Sequence, residues 1–204
     1  MLSFFSNGGP LMYPLLGCSL VALTVIMDRA IFWLQLVWRG NGAKRQAVLG
    51  FCQNGDWQTA LKECSQTKDH ILNVLNNGIE AGAATATKQM ELAAYDVLKR
   101  MQRYMAVLDT VITVAPLLGI LGTVIGIIAS FDVLGASGIE QPRAVIAGIA
   151  QALITTATGL AIAVVTLLPY NYFNGRIRAE TALIEEYATR LETVYARDEA
   201  SDKS

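Results

Sequence analysis

The sequence predicts an all-α integral membrane protein with three transmembrane helices and long helical cytoplasmic extensions. Hydrophobic residues make up 53% of the 204 residues and charged residues only 16%, against about 25% in an ordinary soluble domain. The charged residues crowd into two regions and are missing from three long apolar stretches. Uncharged apolar stretches of this kind are typical of membrane spans.

The first span lies in the N-terminal segment 1–38, together with a short periplasmic end. Residues 1–27 carry no charged side chain, and Leu11–Met27 is apolar apart from Ser19 and Thr24. A cleavable signal peptide has Lys or Arg ahead of its apolar core, and this segment has neither. We therefore expect the segment to stay attached to the chain.

Four residues late in this span bear on its position in the membrane. Asp28 and Arg29 are adjacent, and adjacent helix residues do not face each other. Because both side chains can reach the interface, we interpret them as orientation markers. Trp33 and Trp38 are predicted to be interfacial anchors.

Two further uncharged stretches, Thr110–Phe131 and Ala144–Gly175, each exceed the roughly 20 residues that cross about 30 Å of hydrocarbon. We place the second transmembrane helix at 106–131 and the third at 144–175. The connection 132–143 is short and rich in glycine. The two spans are therefore predicted to form a hairpin joined by a periplasmic loop.

The distribution of Lys and Arg predicts the orientation. Residues 1–27 have none and the 132–143 loop has only Arg143, whereas the other ends of the spans are basic. The positive-inside rule then puts the N-terminus on the outer side of the membrane and the C-terminus in the cytoplasm. Residues 39–105 and 176–204 become a cytoplasmic helical region and a cytoplasmic C-terminal helix and tail.

Apolar residues recur with helical spacing in these cytoplasmic parts, and no breaker separates the pattern from the adjoining spans. We predict one helix from about Lys88 to Phe131 and another from Arg143 to Arg197. Shorter helices between residues 43 and 82 are expected to pack against them, with breaks near Asn54-Gly55-Asp56 and Asn76-Asn77-Gly78.

Small residues recur along one flank of each later span, and small residues let helix backbones approach closely. The predicted packing positions are Gly119, Gly122, Gly126, Gly148, Ala152 and Gly159.

Hydroxyl groups and one amide also lie at membrane depth. These are Thr113, Thr123, Ser130, Gln151, Thr155, Thr156 and Thr158. One interpretation is that the hydroxyls bond to carbonyls of their own helix or of a neighbour and hold helices together. The other is a polar-lined pore, which Gln151 favours because a buried amide needs partners or water. The two uncharged stretches contain no Asp, Glu, Lys, Arg or His, so if protons cross here the titrating group comes from another chain.

Nothing else in the sequence points to chemistry. Cys18, Cys52 and Cys64 lack the spacing of a disulfide framework or zinc site, and His70 beside Asp69 is interpreted as a solvated loop histidine. We predict no catalytic residue, metal or cofactor, and a membrane enzyme is a weak alternative. With a net charge of −1 and no basic cluster among aromatics, nucleic acid is not expected as a partner.

Two long segments resemble a known family. Ala115–Gly126 is similar, almost letter for letter, to the motif A-P-L-L-G-L-L-G-T-V-x-G of the MotA/TolQ/ExbB proton-channel family. Gly148–Leu160, followed by Tyr170–Phe173, resembles its motif G-I-x-E-A-L-x-x-T-A-x-G-L…Y-N-x-F. Asp28-Arg29 also occupies the place of the family's Glu-Arg pair. Three spans and 204 residues fit ExbB/TolQ-type inner-membrane motor subunits better than a four-span MotA stator.

The resemblance implies a pentameric ring around a dimer of a single-span ExbD/TolR-type partner, whose helix carries an essential aspartate. Thr123 and Thr156 would face that aspartate in the pore, with Gln151 on the ion pathway. Ion flow would drive force on the envelope, for TonB-dependent import or a Tol-Pal-like task, with a TonB- or TolA-like protein as a further partner.

Two positions depart from the family pattern: Gln151 stands where glutamate is common, and Val165 where proline is frequent, with Pro169 four residues later. The alternative function is a non-conducting structural or scaffolding membrane oligomer that uses the same small-residue packing. Sequence alone leaves open the motor's task and the choice between H⁺ and Na⁺.

Overall fold

The computed structural model describes residues 9–137 and 142–202. In these ranges the chain is helical and contains no strand. The helices are α1 Met12–Arg39, α2 Gly42–Gln53, α3 Trp57–Ser65, α4 His70–Ala81, α5 Ala86–Met101, α6 Met105–Ser137 and α7 Pro142–Asp202. Three helical segments in the described ranges, Met12–Trp38, Ala86–Gly135 and Val145–Asp198, are long and apolar enough to cross a membrane. The prediction of an all-α, three-span protein is thereby confirmed.

The helices form two structural units. The transmembrane unit comprises Met1–Arg29 and Tyr104–Phe173, and the polar unit comprises Ala30–Arg103 and Asn174–Ser204. We describe each by the residues that the structure places, so residues 1–8, 138–141, 203 and 204 are left aside.

The hairpin of the second and third spans has a shorter connection than the predicted 132–143. Helix α6 continues to Ser137, and α7 begins at Pro142. Residues 132–137 contain no proline, so nothing forces the helix to end at the first charged residue. Pro142 occupies the first position of α7, where its fixed φ and missing N–H suit a helix start.

The prediction of one uninterrupted helix from about Lys88 to Phe131 is wrong. Gln102–Tyr104 form a turn between α5 and α6, and Tyr104 has a left-handed backbone with φ 65°. The guanidinium of Arg29 lies 5.6 Å from the centre of the Tyr104 ring, a cation–π contact that holds this residue in place. No glycine, proline or asparagine occurs at Gln102–Tyr104, so no local sequence signal predicts the turn.

The long helix predicted from Arg143 to Arg197 is confirmed. Helix α7 is continuous over 61 residues, or about 90 Å at 1.5 Å per residue, about three times the hydrocarbon thickness. Pro169 lies inside α7 without ending it. Val165, the other family departure in this helix, is exposed.

The short helices of the polar unit pack on each other and on the C-terminal part of α7. The ring of Trp57 stacks on Tyr195 with centroids 4.8 Å apart. The break at Asn54-Gly55-Asp56 is confirmed: α2 ends at Gln53, Gly55 has φ 75°, and the Asp56 carboxylate caps α3 by accepting from Thr59 N at 3.1 Å.

The second predicted break, at Asn76-Asn77-Gly78, is wrong because α4 runs through it. Asn76 donates to Glu80 Oε1 at 2.7 Å, and Asn77 donates to the Asn73 carbonyl at 2.7 Å. Gly78 is a close-packing position, since a Cβ there would lie 2.5 Å from Met90 Cγ. The helix ends instead at Gly82, with φ 70°.

Of the two tryptophans expected at the interface, only Trp38 is exposed, at 80%. Trp33 is 4% exposed, and the guanidinium of Arg176 lies 5.6 Å from its ring centre. Trp33 therefore packs inside the polar unit, and the interfacial role predicted for it is wrong.

Candidate ion pathway

The backbones of α6 and α7 meet along the predicted glycine positions. A Cβ added to Gly119 would lie 3.0 Å from Thr156 Cα, and one added to Gly122 would lie 2.5 Å from Thr155 Cγ2. Real Cβ atoms almost never approach other atoms below 3.0 Å. A side chain at Gly122 would therefore force Thr155 to move, and one at Gly119 would press on the backbone of Thr156.

The same contact continues toward both ends of the hairpin. A Cβ on Gly126 would lie 2.7 Å from Ala152 Cβ, and one on Gly148 would collide with Ser130 Oγ. At Gly159 the obstacle is the carbonyl oxygen of Ala115, which is backbone and cannot rotate away. All six predicted packing positions thus lie at this helix–helix contact.

Thr156 connects the two spans directly. Its Oγ1 donates to the Gly119 carbonyl at 2.7 Å, across the contact and 37 positions away along the chain. A threonine hydroxyl more often bonds to its own helix, as Thr155 does to Gln151 O at 2.9 Å and Thr158 to Ile154 O at 2.8 Å.

Thr123 lies four residues after Gly119 on α6, one helical turn from the carbonyl that accepts from Thr156. Its Oγ1 donates to Ile120 O at 2.6 Å within the same helix. Both threonines are half-buried. In this arrangement both hydroxyl protons are engaged, and each oxygen presents only lone pairs to an incoming group.

Gln151 lies beside a cavity in the transmembrane unit. The cavity has a volume of about 180 Å³ and is lined by Pro10, Leu11, Gly122, Gly148, Gln151 and Thr155, among others. The amide of Gln151 reaches the backbone of Gly9, where a Cβ would collide with its nitrogen. Its side chain makes no hydrogen bond to any residue that the structure describes. The rest of the lining is mainly apolar, so the Gln151 amide and Thr155 are the polar side chains at which water in this cavity would bind.

Asp28 and Arg29 differ from expectation in their geometry. Although adjacent, they form an ion pair, with Arg29 Nη2 2.7 Å and Nε 3.0 Å from Asp28 Oδ2. The Arg29 residue is only 4% exposed and also reaches Tyr104. Adjacent helix residues do not face each other, but the long arginine side chain folds back along the helix and reaches its neighbour.

Comparison with known proteins gives the same family as the motifs in the second and third spans. Residues 66–186 match the model of the MotA/TolQ/ExbB proton channel family. A protein of Synechocystis sp. named as an ExbB-like biopolymer transport protein is 34% identical over 196 residues, covering 93% of this chain and 92% of its own length.

The chain belongs to the MotA/TolQ/ExbB proton channel family. A further relative, the Tol-Pal system protein TolQ of Haemophilus influenzae, is 30% identical over 172 residues, covering 78% of this chain and 71% of its own length. An ExbB homologue of Methanothermobacter thermautotrophicus is 30% identical over 193 residues, covering 91% of this chain and 67% of its own length. This protein is accordingly a multi-pass membrane protein of a channel family rather than of an enzyme family.

The sequence analysis did not predict a buried ion pair in the polar unit. Asp69 is fully buried, and Arg45 Nε lies 2.8 Å from its Oδ2. Asp69 also accepts from the backbone N–H groups of Asn41, Ile71 and Leu72, so it caps α4 and ties it to the start of α2. Burial by itself raises the pKa of Asp69, but the Arg45 hydrogen bond and charge and the backbone donors outweigh it and hold this pKa below its ordinary 3.8.

The interpretation of His70 as a solvated loop residue is also wrong. His70 is the first residue of α4, and its Nε2 lies 3.0 Å from Glu180 Oε2 on α7, with both side chains largely buried. Arg176 lies 3.5 Å from the other carboxylate oxygen. The aspartate before His70 is a capping signal that could have placed it at a helix start, but its partner is 110 positions away.

The cysteines take no part in the site. Burial raises the pKa of Cys52 to about 12 and that of Cys64 to about 11, so both thiols stay protonated and unreactive. Among the described residues, no three His, Cys, Asp or Glu side chains lie close enough to hold a metal ion.

Proposed function

We propose that this chain is the ring-forming channel subunit of a motor in the bacterial inner membrane, driven by the proton-motive force. Five copies would surround a dimer of an ExbD/TolR-type single-span partner. The partner's intramembrane aspartate would carry the proton. The complex would convert ion flow into force on the cell envelope, for TonB-dependent import or a Tol-Pal-like task, with a TonB- or TolA-like protein receiving the force.

The observation that carries the proposal is a set of polar side chains at membrane depth without a titratable group among them. Thr123, Thr156 and Gln151 lie on two spans inside the family match, and the uncharged stretches that hold them contain no acid or base. Ionisable residues at membrane depth are expensive and mark ion paths. A channel of this family that lacks one in these spans needs a second chain to supply it.

The hydroxyl geometry suits a carboxyl group that alternates between two states. Because the Thr156 proton is given to Gly119 O and the Thr123 proton to Ile120 O, each oxygen can accept a hydrogen bond from a neutral aspartic acid. An ionised aspartate needs donors instead. It would recruit them by rotation of one hydroxyl away from its carbonyl, or from water near the Gln151 amide.

Orientation and localisation form part of the proposal. Basic residues flank the ends of the spans that lead into the polar unit, whereas residues 1–27 have none. The polar unit and the C-terminus would then be cytoplasmic and the N-terminus periplasmic. Under this arrangement Asp28 and Arg29 lie near the cytoplasmic interface.

Partner dependence tests the proposal most simply. The chain is co-expressed with an ExbD/TolR-type single-span protein that carries an intramembrane Asp, and proton uptake is measured in proteoliposomes. We expect uptake only from the pair, and none when the partner's Asp is replaced by Asn. Uptake by this chain alone, or uptake that survives the Asp→Asn change, would contradict a partner-borne proton carrier.

One observation favours a second candidate, a non-conducting scaffolding oligomer. The Thr156 hydroxyl bonds to the opposite helix, which is the behaviour of helix-stabilising glue. If the same proteoliposomes contain an intact complex with its partner and show no uptake under an imposed potential, the scaffold is the better description.

A further inference from the structure

One side of α5 exposes two apolar side chains between two lysines. Leu92 is 55% exposed and Tyr95 is 64% exposed. Outside α1, no other large hydrophobic side chain is exposed in the described residues of the polar unit. Lys88 and Lys99 are exposed as well, and the spacings of four, three and four residues put all four side chains on one side of the helix. We call Lys88, Leu92, Tyr95 and Lys99 the α5 face.

Within the described residues, the rest of the chain leaves the α5 face uncovered. The opposite side of α5 is buried, with Met90 against Gly78 of α4. Lys88 and Lys99 form no ion pair with a described residue. Beside Tyr95 and Lys99 lies an open cavity of about 370 Å³. Aromatic side chains with a polar rim are typical of protein–protein contacts, so this face is suited to a partner.

The C-terminal part of α7 exposes a second face with the opposite charge. Ala182, Glu185 and Thr189 are exposed and Glu192 is half-buried. Their spacings of three, four and three residues align them along one side of the helix. Glu185 and Glu192 form no ion pair with a described residue. We call Ala182, Glu185, Thr189 and Glu192 the α7 face.

The two faces are complementary in charge. The two lysines are 11 residues apart, about 16 Å of helix, and the two glutamates are 7 residues apart, about 10 Å. Flexible lysine side chains can span this difference. Each face also carries its middle residues between its charges: Leu92 and Tyr95 are large, whereas Ala182 and Thr189 are small. The other acids of α5, Glu91 and Asp96, lie to either side of the α5 face rather than between its lysines.

The two faces cannot cover each other within one chain, because both are exposed in the same polar unit. A second copy of the chain presents both faces again. If the α5 face of one copy meets the α7 face of the next, each copy keeps one face for a further neighbour. A contact between two different surfaces of this kind repeats around a ring.

We propose that the α5 face of one copy docks on the α7 face of a second copy. Lys88 and Lys99 pair with Glu185 and Glu192, and Leu92 and Tyr95 pack on the small side chains between them. The proposal rests on the ring of the proposed function and names the surfaces by which the polar units of neighbouring copies meet. It does not involve the ion pathway.

Photo-cross-linking of the full chain, co-expressed with its partner in membranes, tests the contact. Tyr95 is replaced by p-benzoylphenylalanine, the cross-linked dimer is isolated on a denaturing gel, and the attachment site is mapped by mass spectrometry. We expect a dimer joined to the α7 face, at residues 182–192. The same probe in place of Lys62, an exposed residue of α3 outside both faces, should give no dimer through the α7 face.

Charge reversal makes the test specific. An exposed ion pair contributes up to about 1 kcal/mol, or about fivefold, so Lys88→Glu with Lys99→Glu should lower the dimer yield at least fivefold. Glu185→Lys with Glu192→Lys should do the same, and all four changes together should restore the yield. Lys62→Glu is the matched control and should leave it unchanged. Circular dichroism checks that each variant is folded.

Three results would overturn this contact: an attachment site outside the α7 face, an unchanged yield in either reversed pair, or no recovery when all four changes are combined. Native mass spectrometry separates this failure from failure of the ring. An intact wild-type oligomer without the cross-link would overturn the contact alone, whereas a monomeric wild-type chain would overturn the contact and the proposed ring together.

Discussion

Replacing Gly126 with alanine puts one methyl group into the contact between α6 and α7. The new Cβ would lie 2.7 Å from Ala152 Cβ and 3.2 Å from the Gly148 carbonyl oxygen. Carbon atoms pack best at about 3.5–4.0 Å, so the helices must separate by about 1 Å or bend. Overpacking of this kind costs about 1–3 kcal/mol.

Gly135→Ala, in the same helix, is the matched control because nothing lies within 4 Å of a Cβ there. Both changes gain about 1 kcal/mol of helix propensity, so the difference between the variants isolates the collision. That difference should be about 1–3 kcal/mol in favour of Gly135→Ala, measured as the midpoint of thermal unfolding in detergent at roughly 2–4 °C per kcal/mol.

A compensating change makes the test specific. Ala152→Gly removes the methyl group nearest to the new Cβ, so Gly126→Ala should cost less stability in the Ala152→Gly background than in the wild type. If Gly126→Ala unfolds at the same temperature as Gly135→Ala, the close contact of the two spans is not as the structure has it. If the change in stability of the double variant equals the sum of the changes in the two single variants, the new methyl group does not collide with Ala152.

Three further predictions concern the polar unit and the topology. Asp69→Asn leaves Arg45 buried without its counter-charge and should destabilise the protein by about 3–5 kcal/mol in denaturant titration, whereas Asp56→Asn keeps a good N-cap and should change stability little. Because the pKa of Asp69 is lowered in the folded protein, its ion pair contributes fully above pH 3.8 and is lost as the pH falls through the folded-state value. Wild-type thermal stability should therefore drop on acidification below pH 3.8, and Asp69→Asn should show a smaller drop; equal drops would exclude Asp69 as the cause. In right-side-out cells, added protease should cleave a tag placed before residue 10 and should not reach a tag placed after residue 200. Cleavage of both tags, or protection of both, would refute the three-span orientation.

The hairpin could be predicted from sequence because its signals are local. An uncharged stretch longer than a bilayer is thick must either cross the membrane or be buried, and the glycines at 119, 122 and 126 recur at helical spacing on one flank. Both properties are set within one segment of the chain. The contact at Thr156 was named only as one of two alternatives, since spacing does not tell whether a hydroxyl bonds within its helix or across to Gly119.

The parts that sequence reasoning missed depend on contacts between distant residues. His70 finds Glu180 110 positions away, and Tyr104 adopts a left-handed backbone with Arg29 against its ring. Asn76-Asn77-Gly78 has the composition of a turn, yet Gly78 is required by the approach of Met90. In each case the deciding contact is tertiary, and local sequence patterns do not report it.

The central claim is that the hydroxyls of Thr123 and Thr156 face the proton carrier, and proton flux through matched variants tests it most directly. Thr→Val keeps the shape and removes the hydroxyl. The control pair is Thr113→Val with Thr158→Val, on the same helices, where each hydroxyl bonds only to its own helix. Flux and the intact complex are measured together, in proteoliposomes that hold equal amounts of each variant and its partner.

We expect Thr123→Val with Thr156→Val to abolish flux while the complex stays assembled, Thr→Ser at the same positions to retain part of it, and the control pair to conduct as the wild type does. Wild-type flux in the Thr123→Val, Thr156→Val variant would contradict the claim. These hydroxyls would then serve only the hydrogen bonds within α6 and between α6 and α7.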